Sequence, residues 1–369
     1  MRFLLYAALV SLCIVIRTSQ AEELRCLGSD GGTPFINVSE SVSTKQQVLH
    51  TRGQVKEFIL HEDLNQIVYR NQVNQVHILN LSDSSDRFIN YSNAKLSKIT
   101  EKKRGRVLTS ESTYYLDTAN DSFWRFFAGP HAVKEHLFTQ KGNIYSLEHY
   151  WQEAGNLLTN GKHHFSFLTL ESENSYRRYC VAPGNIGVNL KWAKGNLYPY
   201  VYFTAVKPGL VVEDRVMVYR MAIDKIGGGR PCPIEEVTYY PYSKVGEVKS
   251  FYHFNVDGVD AFAFHLTDPK RNLFWDKPGE CAYYNFKGKT PIFISPNHPV
   301  FATWRNGEGL GIHNLGDKTE MTLFKQLKQP SVGSESIWLS DNGKTIYSAL
   351  ITPNGNGEGR LIVSTKIKD

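Results

Sequence analysis

From Gln54 to the end of the chain, one local pattern recurs. A short β-branched or aromatic run gives way to a polar turn, and a second such run follows. Phe58 to Leu60, a turn at His61 to Asn65, Gln66 to Tyr69 and then Val76 to Leu81 form the first example. Tyr198 to Val206, Val216 to Met221 and Phe262 to Leu266 alternate with period two, which places successive side chains on opposite faces of a strand. Near the end, Ile337 to Leu339 and Thr345 to Ile351 flank Asn342-Gly343, the dipeptide preferred where both turn residues need positive φ. Arg360 to Ile367 is a closing strand, with Leu361, Val363, Thr365 and Ile367 on one face. With 20 Tyr, 20 Phe and only 4 Met, the chain favours sheets over helical bundles. The expected class is all-β.

Units can be marked near Gln54, Lys98, His131, Trp192, Val248, Thr290 and Ser334. Their spacing approaches the ~40–50 residues of a four-stranded propeller blade. No Pro- or Ser-rich linker divides them. We therefore expect a single β-propeller of six or seven four-stranded blades across residues 22–369. The stretch from Ile337 through Ser340-Asp341-Asn342-Gly343-Lys344 to Leu350 resembles the strand–turn–strand signature of non-WD propeller repeats of the TolB-like and YVTN-like kinds. Those repeats carry Pro-Asp where this chain has Asp341-Asn342. The resemblance implies that the first and last strands complete one blade together. Two segments are ambiguous: Ser146 to Leu158 fits an amphipathic helix or a strand, and so does Thr319 to Leu327.

Met1-Arg2, the 14-residue apolar run Phe3–Ile16 and the small residues before Glu22 read as a secretory signal peptide of residues 1–21. The run is too short for a bilayer span, which needs ~20 apolar residues. The mature chain is then expected to be secreted and extracellular, without a membrane span. It retains Cys26, Cys180, Cys232 and Cys281, and an oxidising compartment makes two disulfides the expectation, with Cys180–Cys232 and Cys26–Cys281 preferred among three pairings. Sequons at Asn37, Asn80, Asn90 and Asn120 make it an expected glycoprotein. The formal charge of +6 falls to +4 without Arg2 and Arg17, too mild for general nucleic-acid binding.

The search for chemistry excludes more than it finds. There is no Gly-x-Ser-x-Gly elbow and no P-loop, and His61-Glu62-Asp63 lacks the second histidine of a zinc-protease helix. The glycines at 227–229 and 307–311 open no helix after a strand, so they read as loops. His131, His136, His149, His163 and His164 crowd one span in no compact ligand spacing. No cofactor is expected. Calcium is the one candidate metal, with Asp257, Asp260, Asp268, Asn255 and Asn272 as its oxygen donors, although their spacing matches no calcium loop. Phe123 to Phe127 and Tyr239 to Tyr242 read as core aromatics before they read as a binding face. The densest charge cluster is Lys95, Lys98, Lys102, Lys103, Arg104 and Arg106, an anion- or glycan-binding candidate or else a solvated interblade loop. Lys102-Lys103-Arg104 also reads as a processing site. The functional expectation is a non-enzymatic module that binds an extracellular protein or glycan through propeller-face loops. A calcium-dependent propeller hydrolase and a matrix or cuticle component are the alternatives.

Overall fold

The computed structural model describes residues 29–30, 34–89 and 187–368, short loop stretches apart, together with the strand backbone between 99 and 181. Among the described residues the strands fall into seven four-stranded antiparallel units, two of them merged into one larger sheet by a parallel pairing of inner strands, which gives a β-propeller of seven blades. The inner strands of the blades are Val55–His61, Ile99–Lys103, Ala132–Gln140, Val188–Lys194, Val248–Val256, Ile292–Phe293 and Ile337–Leu339. Six of the blades are continuous meanders. The seventh combines Ile337–Leu339, Thr345–Asn354 and Gly357–Lys368 with Ser43–Leu49 from the start of the chain, which pairs antiparallel with Gly357–Lys368. The expected union of first and last strands is therefore present.

Inner strands adjoin one another around the ring. Ala193 and Lys194 of blade four pair in parallel with Phe251 and Tyr252 of blade five. Blade seven closes onto blade one, where Trp338 Nε1 donates to the Phe58 carbonyl at 2.9 Å and the Asp341 amide donates to the Glu62 carboxylate. Apolar cores fill the clefts between blades. Phe251, Phe264 and Tyr240 pack between blades four and five, and Phe254, Trp275 and Phe301 between five and six. Tyr240 meets Phe264 and Phe274 edge-on at 5.3 and 5.2 Å, the arrangement that ring quadrupoles favour. Each fully buried Phe removes apolar area worth about 2–3 kcal/mol from water, so the clefts hold the ring together.

The described parts of both ambiguous segments are strands: Asn143–Gln152 pairs with a neighbour on each edge, Thr319–Leu323 pairs with Gly309–Asn314, and residues 153–158 and 325–327 lie outside the described residues. Ladder pairing on both edges overrides a helical apolar spacing. The Asn342-Gly343 turn differs from expectation. Only Gly343 has positive φ, at 71°. Asn342 instead accepts the Lys344 amide on its own side chain, and Ser340 Oγ accepts the Thr345 amide, giving a longer turn closed by side chains.

The segment before blade one crosses three blades. Ser29–Asp30 lies parallel to the outer strand of blade five, with Ser29 opposite Ala282, and Ile36–Asn37 lies parallel to that of blade six. Ser43–Leu49 then becomes the outer strand of blade seven. Phe35 anchors the segment against Tyr284, Phe301 and His313 at 5.1–6.2 Å.

Candidate anion-binding mouth

Five inner strands carry a ladder irregularity in their first half. The register slips between Val55 and Glu57, Ile99 and Glu101, Lys134 and His136, Val188 and Lys191, and Val248 and Ser250. A bulge takes one residue out of the ladder and re-aims its side chain. In blades one and five that extra residue is a lysine. Lys56 and Lys249 are both exposed, while Val55, Phe58, Val248 and Phe251 around them are buried. In blade four Lys191 is half-buried and follows Asn189, whose φ is 55°. Ala193 and Phe251 are cross-strand partners, and two residues earlier on each strand stand Lys191 and Lys249. In blade three Lys134 borders the slip. These lysines therefore stand in the first half or middle of their inner strands, by position along the backbone. The inner strands hold seven lysines and no arginine, of which Lys56, Lys134, Lys191 and Lys249 are so placed, while Lys102, Lys103 and Lys194 stand at the ends.

Sequence reasoning missed this collar, although its signal was present. Val55-Lys56-Glu57-Phe58, Val133-Lys134-Glu135-His136 and Val248-Lys249-Ser250-Phe251 repeat one pattern at the head of three inner strands.

The cluster singled out from sequence lies elsewhere. Lys102 and Lys103 end the inner strand of blade two and Arg106 begins the next, with Lys103 opposite Arg106, so these three stand on strands within one blade. Lys95, Lys98 and Arg104 fall outside the described residues. The calcium donors do not converge. Asn255, Asp257 and Asp260 sit at one end of a hairpin in blade five, and Asp268 and Asn272 at the other. Asn255, Asp268 and Asn272 accept the amides of Gly258, Lys270 and Phe286, and Asp257 pairs with Lys277 at 3.1 Å. Among the described residues, no group of three His, Cys, Asp or Glu side chains is placed to hold a metal. His136, His149, His163 and His164 lie on blade-three strands, and His131 lies outside the described residues. Of the expected aromatics, Tyr240 is buried, and Tyr239 lies under the Arg215 guanidinium at 4.4 Å.

Asn37 is exposed on its strand, and Asn80 ends the third strand of blade one; Asn90 and Asn120 fall outside the described residues. Cys281 is disulfide-bonded. Cys26 and Cys232 fall outside the described residues, and Cys180 lies on the outer strand of blade three.

Two Tyr–His–Asp trios were also not anticipated. In blade one, Tyr69 donates to Asp86 Oδ2, the Arg52 amide donates to Tyr69 Oη at 2.7 Å, and His77 Nδ1 lies 2.9 Å from Asp86 Oδ1. The Tyr69 and His77 rings stack at 5.0 Å. Burial, then the bond to Asp86, pushes the Tyr69 hydroxyl far above its ordinary titration range. Across blades four and five, Tyr202 donates to Asp260 Oδ2 at 2.9 Å, and His253 Nε2 lies 2.8 Å from Asp260 Oδ1. The Tyr202 and His253 rings stack at 3.8 Å. Arg220 pairs with Glu235 at 2.8 Å and covers the Tyr200 ring at 4.7 Å. Burial, then the Asp260 charge, raises Tyr202 as well.

No family model matches the chain, and no curated protein does. Solved structures share its fold. An oligogalacturonate lyase from Vibrio parahaemolyticus aligns over 92% of this chain and 99% of its own at 10% identity, with a TM-score of 0.47. An oligogalacturonate lyase in complex with manganese aligns over 93% and 99% at 9% identity, with a TM-score of 0.48. The acylaminoacyl peptidase of Pyrococcus horikoshii aligns over 84% of this chain and 50% of its own at 10% identity, with a TM-score of 0.45. The likeness concerns the fold alone. The expectation of a non-enzymatic module is withdrawn, since the three neighbours named above are two lyases and a peptidase, and the likeness assigns this chain no activity of its own. The absence of contiguous catalytic motifs was a poor basis for that expectation. In a ring of blades, neighbouring functional groups come from strands far apart in sequence.

Proposed function

We propose that the protein is exported and takes an anionic glycan as its ligand at the lysine-bearing axial mouth. The observation that carries this reading is the presence of Lys56, Lys191 and Lys249 on inner strands of three blades, with Lys56 and Lys249 both in bulges. Like charges gathered on rigid strands raise the local concentration of an oppositely charged ligand. The apolar leader, the sequons and the cysteines favour an extracellular setting, where anionic polysaccharides are available and nucleic acid is not the expected partner. The parallel pairing of Ser29 with Ala282 favours a Cys26–Cys281 disulfide, leaving Cys180 for Cys232. A TolB-like or YVTN-like ancestry suits the closing turn of blade seven.

The test is affinity electrophoresis in gels holding heparin, with neutral dextran as the control. Lys191→Gln with Lys249→Gln should weaken retardation by heparin about tenfold, as expected when charge-assisted hydrogen bonds are removed. Replacing Lys102, Lys103 and Arg106 by Ala measures the contribution of the blade-two hairpin in the same gels. Unchanged mobility of the mouth variant in heparin would overturn the assignment of this site.

A further inference from the structure

We infer that the outer edge of blade seven is an interaction surface, on which a second copy of this chain lays its own outer strand antiparallel about a two-fold axis. This is independent of the anion reading, because other residues carry it. Ser43–Leu49 is the terminal strand of its sheet, paired with Gly357–Lys368, and no described strand lies along its other edge. Six of its seven residues are exposed, and its ladder runs through all seven without a slip. Such an edge is a template for another strand, and the other edges of this ring are blunted. The N-terminal segment lies along those of blades five and six. The outer strands of blades one and two, Asp86–Ile89 and Ser122–Arg125, are four residues long. Those of blades three and four have a ladder slip, with Arg177 and Arg178 on one and Glu235, Glu236 and Pro241 on the other. Blade seven has none of these devices, and Lys45 is the single charge on its edge strand.

The residues of the strand argue for a second copy as the occupant. A two-fold axis normal to the sheet keeps each side chain on its own face, so it must pass through a residue that opposes itself. Centring on Lys45 would set two ammonium groups directly opposite. Centring on Gln47 would leave Ser43 and Thr44 outside the ladder. Centring on Gln46 pairs Ser43 with Leu49, Thr44 with Val48, Lys45 with Gln47, and Gln46 with its own copy. In that register all seven residues are used and no like charges meet.

The same rim is apolar beyond what a free surface needs. Ile36 and Val48 are large apolar residues left 65% and 46% exposed. Ile36 stands opposite Thr319, two residues from Met321, and Val48 opposite Val363, two residues from Thr365 and its partner Ile346. Met321 and Ile346 belong to the core between blades six and seven, so Ile36 and Val48 face the outer opening of that cleft. The Gln46-centred register brings Thr44 of the second copy beside Val48 and covers it in part. Asn37 alternates with Ile36, so a glycan on it projects away from that opening. An edge ladder buries modest area, which places the dimer in the weak class with micromolar dissociation.

The experiment is sedimentation equilibrium of the full chain over a concentration series, joined to hydrogen exchange at residues 43–49. The wild type should dimerise, and those amides should gain protection as the dimer fraction rises. Gln46→Glu and Gln46→Lys each set like charges opposite across the axis, and each should weaken the dimer about tenfold. An equimolar mixture of the two should restore it, because a carboxylate then opposes an ammonium, and misfolding of either variant cannot produce that recovery. A wild type that stays monomeric overturns the proposal. If a synthetic peptide of alternating threonine and valine protects residues 43–49 in such a monomer, the edge belongs to a foreign strand instead. A dimer indifferent to both substitutions uses another surface and overturns the proposal equally. Weakening without recovery in the mixture overturns the two-fold register centred on Gln46.

Discussion

The two Tyr–His–Asp trios use the same residue types and almost the same bonds, yet their surroundings differ. In blade one the aspartate side chain is 9% exposed and also accepts the Arg52 amide at 3.2 Å, and both nitrogens of His77 face partners, Asp86 and Asn71. Between blades four and five the Asp260 side chain is 28% exposed, and His253 Nδ1 is buried with no partner. The first trio ties the connection into blade one to the outer strand of that blade, because Arg52 precedes the inner strand and Asp86 begins the outer one. The second joins two blades through a carboxylate that water reaches. The same chemistry is thus a buried latch in one place and a wet seam in the other, and burial decides which.

Removing the carboxylates should separate them. Asp86→Ala leaves a buried hydroxyl and imidazole without their acceptor, and should cost about 3 kcal/mol in urea unfolding. Asp260→Ala should cost about 1 kcal/mol, since water can replace the lost acceptor. Equal losses would end the distinction between latch and seam. The smallest effect concerns alkali. Tyr202 titrates above its unfolded value of 10.0, so its contribution is present below that pH and is lost as pH rises beyond it toward the folded value. Tyr202→Phe should therefore make stability slightly less sensitive to alkali above that point, followed by fluorescence across an alkaline series. An unchanged profile would assign the alkaline loss to other buried tyrosines, such as Tyr69.

Much of the ring was legible in advance because strands announce themselves locally. The sequence marks at Gln54, Lys98, His131, Val248, Thr290 and Ser334 stand within three residues of observed blade starts, and Trp192 lies inside the inner strand of blade four. The closing hairpin was placed by Asn342-Gly343, though its turn chemistry depends on Ser340, which the dipeptide rule ignores. What escaped notice was whatever depends on distance in sequence. Ala193 and Phe251 are far apart in sequence until parallel inner strands pair them, and Tyr202 meets Asp260 only because two blades share a cleft. Bulges are invisible to a period-two reading, since the slip itself breaks the period. The calcium candidates failed for the opposite reason: Asp257 and Asp268 are near in sequence but lie at opposite ends of a hairpin.

The segment laid across blades five, six and seven has a consequence for biogenesis. Residues 29–49 are made well before their partners at Ala282, Thr319 and Gly357–Lys368. The leading piece stays without these neighbours until they are made, and the circle can be fastened only once Gly357–Lys368 has emerged. Closure of the ring thus waits on a strand made about 300 residues later, and a chaperone that shields the extended early stretch would act in that interval.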